Sequence, residues 1–437
     1  MIRLLTILAA VFAAVVPAQA ATDIDVFETP GGITVWFVEE PSIPIVSLQI
    51  SFRGGASLDP VGKEGVTNLM MSLLEEGAGP LTDREFAKRQ DELASRYYYG
   101  ARRDSVSVDA EVLTENLDEA IELLRLAIHE PRFDQEPLDR TRAQILASLE
   151  GSTTDPNDIA STRFREISFP DHPYSSRRSG TPEAVTDLTR DDIIAAHQAA
   201  LVRSRVFVAA VGDISQDKVG EIVDRLLDGL PEDGPDLPDL VDMTAPGGTT
   251  IIEMDVPQSV AIFGHSGIMR DDPDFLPAFV VTEILGGSGI ESRLRNEVRE
   301  KRGLTYGISA YLAPSNRSGQ ILGNFSSTNG NMAEALDIVR TEWARMASDG
   351  ISAEELDAAK LYLTGAYPLR FDSNVRIARG LVGLQIAGLP PEYVETRNDL
   401  IMALTLEEVN RVARRIFDPE ALHFVVVGQP EGLAATE

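Results

Sequence analysis

The sequence predicts an α+β protein of two homologous domains, each a mainly antiparallel sheet with helices packed on one face, the pair forming a clamshell. Three observations carry that expectation: a long internal repeat, apolar runs that alternate between strand and helix periods, and a Pro-, Asp- and Gly-rich divider. The repeat comes first. Gly31-Gly32-Ile33-Thr34 opens an apolar run ending at Pro41, and Gly247-Gly248-Thr249-Thr250 opens one ending at Pro257, so both landmarks recur 216 residues later. Leu188-Thr189 begins a helical pattern leading to the strand RVFVAAVGD with Gly212. Leu404-Thr405 begins another, leading to LHFVVVGQ with Gly428, at the same offset. Between them LTENLDEAIELL (113–124) resembles NGNMAEALDIV (329–339), and PLDRTRAQI (137–145) resembles ELDAAKLYL (355–363). One nearly constant offset across four landmarks indicates a duplication.

The elements follow in order. TVWFV, VSLQISF and DSVSVDAEV in the first copy, and TTIIEM, SVAIFGHSG and GQILGNFSS in the second, have the apolar or alternating character of strands. LDEAIELLRLAIH and AEALDIVRTEWARM have the 3.6-residue apolar stripe of helices. The domains are expected at 21–229 and 249–437, joined by a linker at 230–248. Residues 1–20 have the form of a cleaved secretory signal: Arg3, an apolar run from Leu4 to Val16, then Ala18-Gln19-Ala20. The expected location is therefore the periplasm or the cell exterior, with no membrane span after cleavage.

Composition excludes several functions. The chain has no cysteine, so disulfides, thiolate metal sites and a cysteine nucleophile are ruled out. A formal net charge of −30 argues against nucleic-acid binding, which needs a basic face.

GVTNLMMSLLEEG (65–77) is the informative stretch. On a helix, ligands three and four residues apart share a face, which is how the H-x-x-E-H motif gathers two imidazoles and a base around one zinc. The corresponding positions here are Asn68, Met71 and Ser72. Asn is a poor zinc ligand, Met cannot accept a proton, and Ser lacks reach and basicity. The five histidines (His129, His172, His197, His265 and His423) form no H-x-x-x-H or H-x-x-H pair, so they offer no local replacement site. GHSG (264–267) is not a nucleophile elbow, because Ile268 stands where a second glycine is required.

The duplicated layout, GVTNLMMSLLEEG behind the SFRGGASLDP turn, and RLRNEVREKRGLTYGISAY in the second copy together resemble the insulinase-like (pitrilysin, M16) metallopeptidase family. The likeness spans essentially the whole mature chain. Active members read G-x-x-H-x-x-E-H-x-x-x-x-G over this helix, so Gly65 and Gly77 match the frame while the ligands and base do not. The family's third ligand, a glutamate, falls near Ala147-Ser148, with Glu150 the nearest carboxylate. The resemblance also implies that Arg299 and Tyr306 face a zinc site, where a guanidinium and a phenol can hold a peptide carbonyl or a developing oxyanion. It places the loop Gly286, Gly287, Ser288 and Gly289 near bound substrate. The expectation that follows is a substrate-handling subunit with no metal or cofactor of its own. Its partner in a heterodimer would be an H-x-x-E-H subunit holding the zinc. A standalone peptide-binding or scaffold protein is the alternative.

Overall fold

The computed structural model describes residues 23–287, 289 and 291–436; the expected signal segment at 1–20 and Ser288 lie outside the described residues. The first half opens with strands β1 (Asp25–Glu28), β2 (Thr34–Glu39) and β3 (Ile45–Arg53), then a short helix α1 (Val66–Ser72). It continues through α2 (Asp83–Glu92), β4 (Arg96–Ala101), β5 (Ser105–Leu113), α3 (Leu117–His129), α4 (Gln135–Ser152) and α5 (Pro156–Ser168). It closes with α6 (Pro182–Asp187), α7 (Arg190–Ala200), β6 (Val206–Gly212) and α8 (Gln216–Leu227). The main sheet has the order β1-β2-β6-β3-β5-β4, beside a small hairpin pairing Gly77–Ala78 with Leu81–Thr82. Every neighbouring pair is antiparallel except β2 with β6.

The second half repeats the plan. Its strands β7 (Gly248–Glu253) and β8 (Gln258–Ser266) precede α9 (Phe275–Gly286), β9 (Ile308–Pro314) and β10 (Gly319–Thr328). Helices α10 (Met332–Ser348), α11 (Ala353–Ala366), α12 (Asn374–Ile386), α13 (Tyr393–Ala403) and α14 (Leu406–Ile416) lead to the last strand, β11 (His423–Gly428). The sheet order is β9-β10-β8-β11-β7, with β11 and β7 the parallel pair. Taken from its other end, this order matches β2-β6-β3-β5-β4, strand for strand. Helix α9 is therefore the counterpart of α1.

The repeated landmarks have structural causes. Thr189 and Thr405 are N-caps, each closing a capping box with an acid three residues on, Asp192 and Glu408. Gly212 and Gly428 end the equivalent strands at φ +147 and +146, and a Cβ would stand 2.2 Å from Ile45 O in one case and Ser259 Oγ in the other. No other residue fits there.

Each half has its own core between sheet and helices. The opposite sheet faces are covered by an exchange. Helix α5 of the first half packs Ala160 and Phe164 on Val260, Val425 and Val427 of the second sheet. Helix α12 of the second half packs Ala378, Leu381 and Val382 on Trp36, Val38, Ala209 and Val211 of the first. Strand β3 therefore alternates Val46, Leu48, Ile50 and Phe52 with Ser47, Gln49 and Ser51, yet is buried on both faces, because α12 covers the side that would otherwise face solvent. Polar contacts tie the same seam. The buried Tyr174 hydroxyl donates to Asp104 at 2.7 Å and accepts from the Arg317 amide at 3.0 Å. The stretch between Leu230 and Gly248 carries no helix or strand, yet it is pinned along the seam, with Val241 N donating to Arg317 O and Met243 buried.

Candidate functional site

Helix α1 holds the positions of the altered zinc motif. Gly65 starts it at φ +95, where a Cβ would lie 2.6 Å from Ser179 O, so the first frame glycine is required by close backbone packing. Asp59 caps the helix, accepting from Gly65 N at 2.7 Å and Thr67 N at 3.2 Å. Burial outweighs these two bonds and raises its pKa to about 6. Sequence reasoning passed over Asp59; an Asx-type acceptor six residues ahead of a helix glycine was the available signal.

The three motif positions fail the donor test in distinct ways. Met71 is 1% exposed and packs into the first-half core with Leu69, Met70, Leu73 and Leu74. Ser72 Oγ donates back to Asn68 O at 3.0 Å, so its hydroxyl serves the helix backbone. Asn68 is half-buried and offers only an amide. On α4, Ala147, Ser148 and Glu150 are all exposed. These residues do not fit a catalytic zinc, which needs three basic donors and an open position.

The histidines are committed elsewhere. His129 Nε2 donates to Leu226 O and His197 Nε2 to Ile128 O, each at 2.8 Å. His172 accepts from Tyr174 N through Nδ1, which leaves Nε2 to donate to Asp239 O. His265 donates from Nδ1 to Ser266 O and accepts the Trp343 indole N–H at Nε2, 2.8 Å, which fixes a neutral tautomer in the core. His423 bridges Gly247 O and Thr250 Oγ1. Burial lowers the pKa of His172, His197, His265 and His423, keeping these rings uncharged. Among the described residues, no three His, Asp or Glu side chains converge in a way that could hold a metal. Ser266 Oγ donates to Met243 O, a structural bond.

The second half presents the other candidates. Residues Arg295–Glu300 form a π-helical turn, closed by Lys301 N bonding Asn296 O at 3.0 Å. Arg299 projects from it with its side chain 40% exposed, and its sole ion pair among the described residues is a loose 3.7 Å approach to Glu300. The chain then crosses to β9. Leu304 and Thr305 are buried, with Leu304 O accepting from Ser327 Oγ and Thr305 Oγ1 donating to Ser326 O at 2.7 Å. Gly307 N donates to Thr305 Oγ1, and Ile308 is buried again. Tyr306, between these anchors, is 88% exposed and makes no hydrogen bond among the described residues. Such exposure is unusual for an aromatic side chain whose backbone is held on both sides.

The glycine-rich loop divides. Gly286 and Gly287 are buried, and a Cβ on Gly286 would stand 2.3 Å from Ala310 N, so this glycine lets α9 approach β9. Gly289 is exposed and lies against the Tyr362 hydroxyl. No hydrogen bond or ion pair among the described residues joins Arg299 or Tyr306 to α1.

With the geometry in place, comparison with known proteins is informative. Residues 34–181 match the family model described as Insulinase (Peptidase family M16), and 187–363 match that described as Peptidase M16 inactive domain. A Helicobacter pylori protein named non-peptidase homolog YmxG is 24% identical over 396 residues, covering 90% of this chain and 91% of that protein. An uncharacterized zinc protease of Rickettsia felis is 22% identical, over 88% of this chain and 93% of the other. The crystal structure of a peptidase M16 inactive domain from Pseudomonas fluorescens superposes with a TM-score of 0.87 at 28% identity, covering 95% of this chain and 99% of that one. A protease structure from Helicobacter pylori has a TM-score of 0.82 at 17% identity, covering 93% and 99%, and that likeness speaks to the fold.

Proposed function

The chain belongs to the insulinase family, peptidase family M16, and we propose that it is a non-catalytic, substrate-handling subunit of a periplasmic zinc peptidase. In this reading its partner carries an H-x-x-E-H helix and the zinc, while this chain contributes Arg299 and Tyr306 to the composite site.

One observation carries the proposal: Tyr306 stands almost wholly in solvent on a loop tethered at Leu304, Thr305 and Ile308. A mobile loop would give no such positioning, and a structural tyrosine would be covered. The phenol and the Arg299 guanidinium are both free to donate, which suits a carbonyl oxygen gaining negative charge during peptide-bond cleavage. This chain would supply no base and no metal-bound water, because Met71 occupies the position of the base within the hydrophobic core. In this reading the exposed Gly289 is the loop glycine that contacts bound peptide, while Gly286 serves to bring α9 close to β9 and Gly287 packs against Glu283 at the end of its own helix.

Purification of the chain from its native compartment, followed by zinc analysis and identification of what accompanies it, tests the assignment. An H-x-x-E-H family member is expected at one zinc per heterodimer. Recovery of the chain alone with stoichiometric zinc would defeat it.

A further inference from the structure

A second, unassigned site lies in the second half, where α12 leaves its own domain to cover the first sheet. There a cleft of about 640 Å³ opens between α9, β9, α12 and the start of α13. Its apolar wall includes Phe275, Phe279, Leu312 and Leu384. In a chain of net charge −30, its polar lining is cationic. Arg270 lies over the rings of Phe275 and Tyr393, at 4.1 and 5.4 Å, and Arg397 over Tyr367 at 4.3 Å and Phe279 at 5.8 Å. Arg397 is only 6% exposed. Its hydrogen-bond partners, Leu363 O and Asn398 Oδ1, are neutral. Neither Arg270, Arg370 nor Arg397 has a carboxylate within ion-pair distance among the described residues. The other two arginines of the cleft are matched, Arg376 by Asp372 at 2.8 Å and Arg379 by Asp109 at 3.6 Å. Glu283, at the adjoining end, is the acid facing Arg370 and Arg397, and burial raises its pKa against their pull. A buried guanidinium without an anionic partner is costly unless something completes it.

We propose that this cleft binds the carboxyl terminus of a peptide ending in apolar residues. The carboxylate would be held by Arg370 and Arg270 in front of Arg397, and the last side chains would lie on the Phe275 and Phe279 wall. A free carboxyl end places an anion and an apolar side chain on the same carbon, which matches cations set directly against aromatic rings. The apolar wall is contributed by several elements, which suits side chains leaving a backbone in different directions better than one unbranched hydrocarbon chain. This site is separate from Arg299 and Tyr306 and does not rest on their proposed role.

Calorimetric titration of the isolated full chain with acetyl-Ala-Phe-Leu, its C-terminal amide, and dodecanoate tests the assignment. The free acid is expected to bind saturably, the amide about tenfold or more weaker, since a charge-assisted contact is lost. Arg370→Gln, at an exposed position, is expected to weaken the free acid about tenfold without moving the thermal midpoint, and Arg270→Gln to weaken it by a similar factor. No binding of the free acid, equal binding of acid and amide, tighter binding of dodecanoate, or unchanged affinity in both variants would each overturn it. Hydrolysis by the reconstituted heterodimer is a separate readout, so failure here leaves the Tyr306 assignment standing, and the reverse.

Discussion

Tyr306 and Met71 sit at opposite extremes of exposure, and each makes a prediction. Tyr306→Phe removes one hydroxyl from solvent, so the folded chain should keep its thermal midpoint, with stability within about 0.5 kcal/mol. In the proposed heterodimer the same change should lower kcat/KM about a hundredfold, the scale for losing one oxyanion donor. Met71→Glu, which restores the family's base by identity, should instead destabilise the isolated chain by about 3 kcal/mol in denaturant unfolding, because a carboxyl would enter a filled core. A loss under 1 kcal/mol would show that the position opens to a cleft. Asp59 makes a prediction about pH. Its folded pKa of about 6 lies above the 3.8 of an unperturbed aspartate, so the native state binds the extra proton between these values. Stability contributed by Asp59 is therefore present below about pH 4 and falls as pH rises towards 6, by roughly 3 kcal/mol in all. Asp59→Asn keeps an acceptor for the Gly65 or Thr67 amide and should flatten this slope in unfolding curves taken from pH 4 to 7. An unchanged slope would mean that the two backbone amides already hold the carboxylate ionised.

At the level of elements, what the sequence made legible was the part governed by local chemistry. The capping threonines Thr189 and Thr405 and the strand-ending Gly212 and Gly428 are required by backbone geometry, so they survive in both copies and reveal the offset. The apolar runs of β2, β6, β8 and β11 and the alternation of β3 were likewise readable as strands. Strand β4 was not, since RYYYGA mixes exposed and buried aromatics on a sheet edge, and β9 was absorbed into the Arg299–Tyr306 segment. The exchange of α5 and α12 was invisible for a different reason. Both are moderately polar helices whose apolar side chains meet the sheet of the other half of the chain, and periodicity carries no record of the partner. For the site, the residues that are absent from α1 could be read directly, whereas the burial of Gly286 and Gly287 and the tethering of Tyr306 are tertiary facts. The exchange itself predicts cooperativity. Leu381→Ala opens a cavity between α12 and the first sheet and should cost about 2–5 kcal/mol. In calorimetry it should lower one shared transition, and a separate early melting of the second half alone would contradict the exchange as the coupling device.

The whole molecule keeps the helix and sheet scaffold of its family, while the positions of the zinc motif hold Met71, which packs in the core, and Ser72, which bonds the helix backbone. Cores in both halves are complete, the seam between them is filled, and each histidine is spoken for by hydrogen bonds. Among the described residues two features stand apart from this packing: Tyr306 on its tethered loop with Arg299 on the preceding π-helical turn, and the arginine cleft beside α12. No helix among the described residues is long and apolar enough to cross a membrane. In the proposed reading, a protein so arranged offers contacts to a reaction centred on another chain. The most direct test is the rate of peptide hydrolysis by an H-x-x-E-H partner alone, with this chain, and with its Tyr306→Phe form. Little turnover is expected from either chain alone, full turnover from the pair, and about a hundredfold less with Tyr306→Phe. Chelator-sensitive hydrolysis by this chain alone, or an undiminished rate with Tyr306→Phe, would contradict the proposed reading.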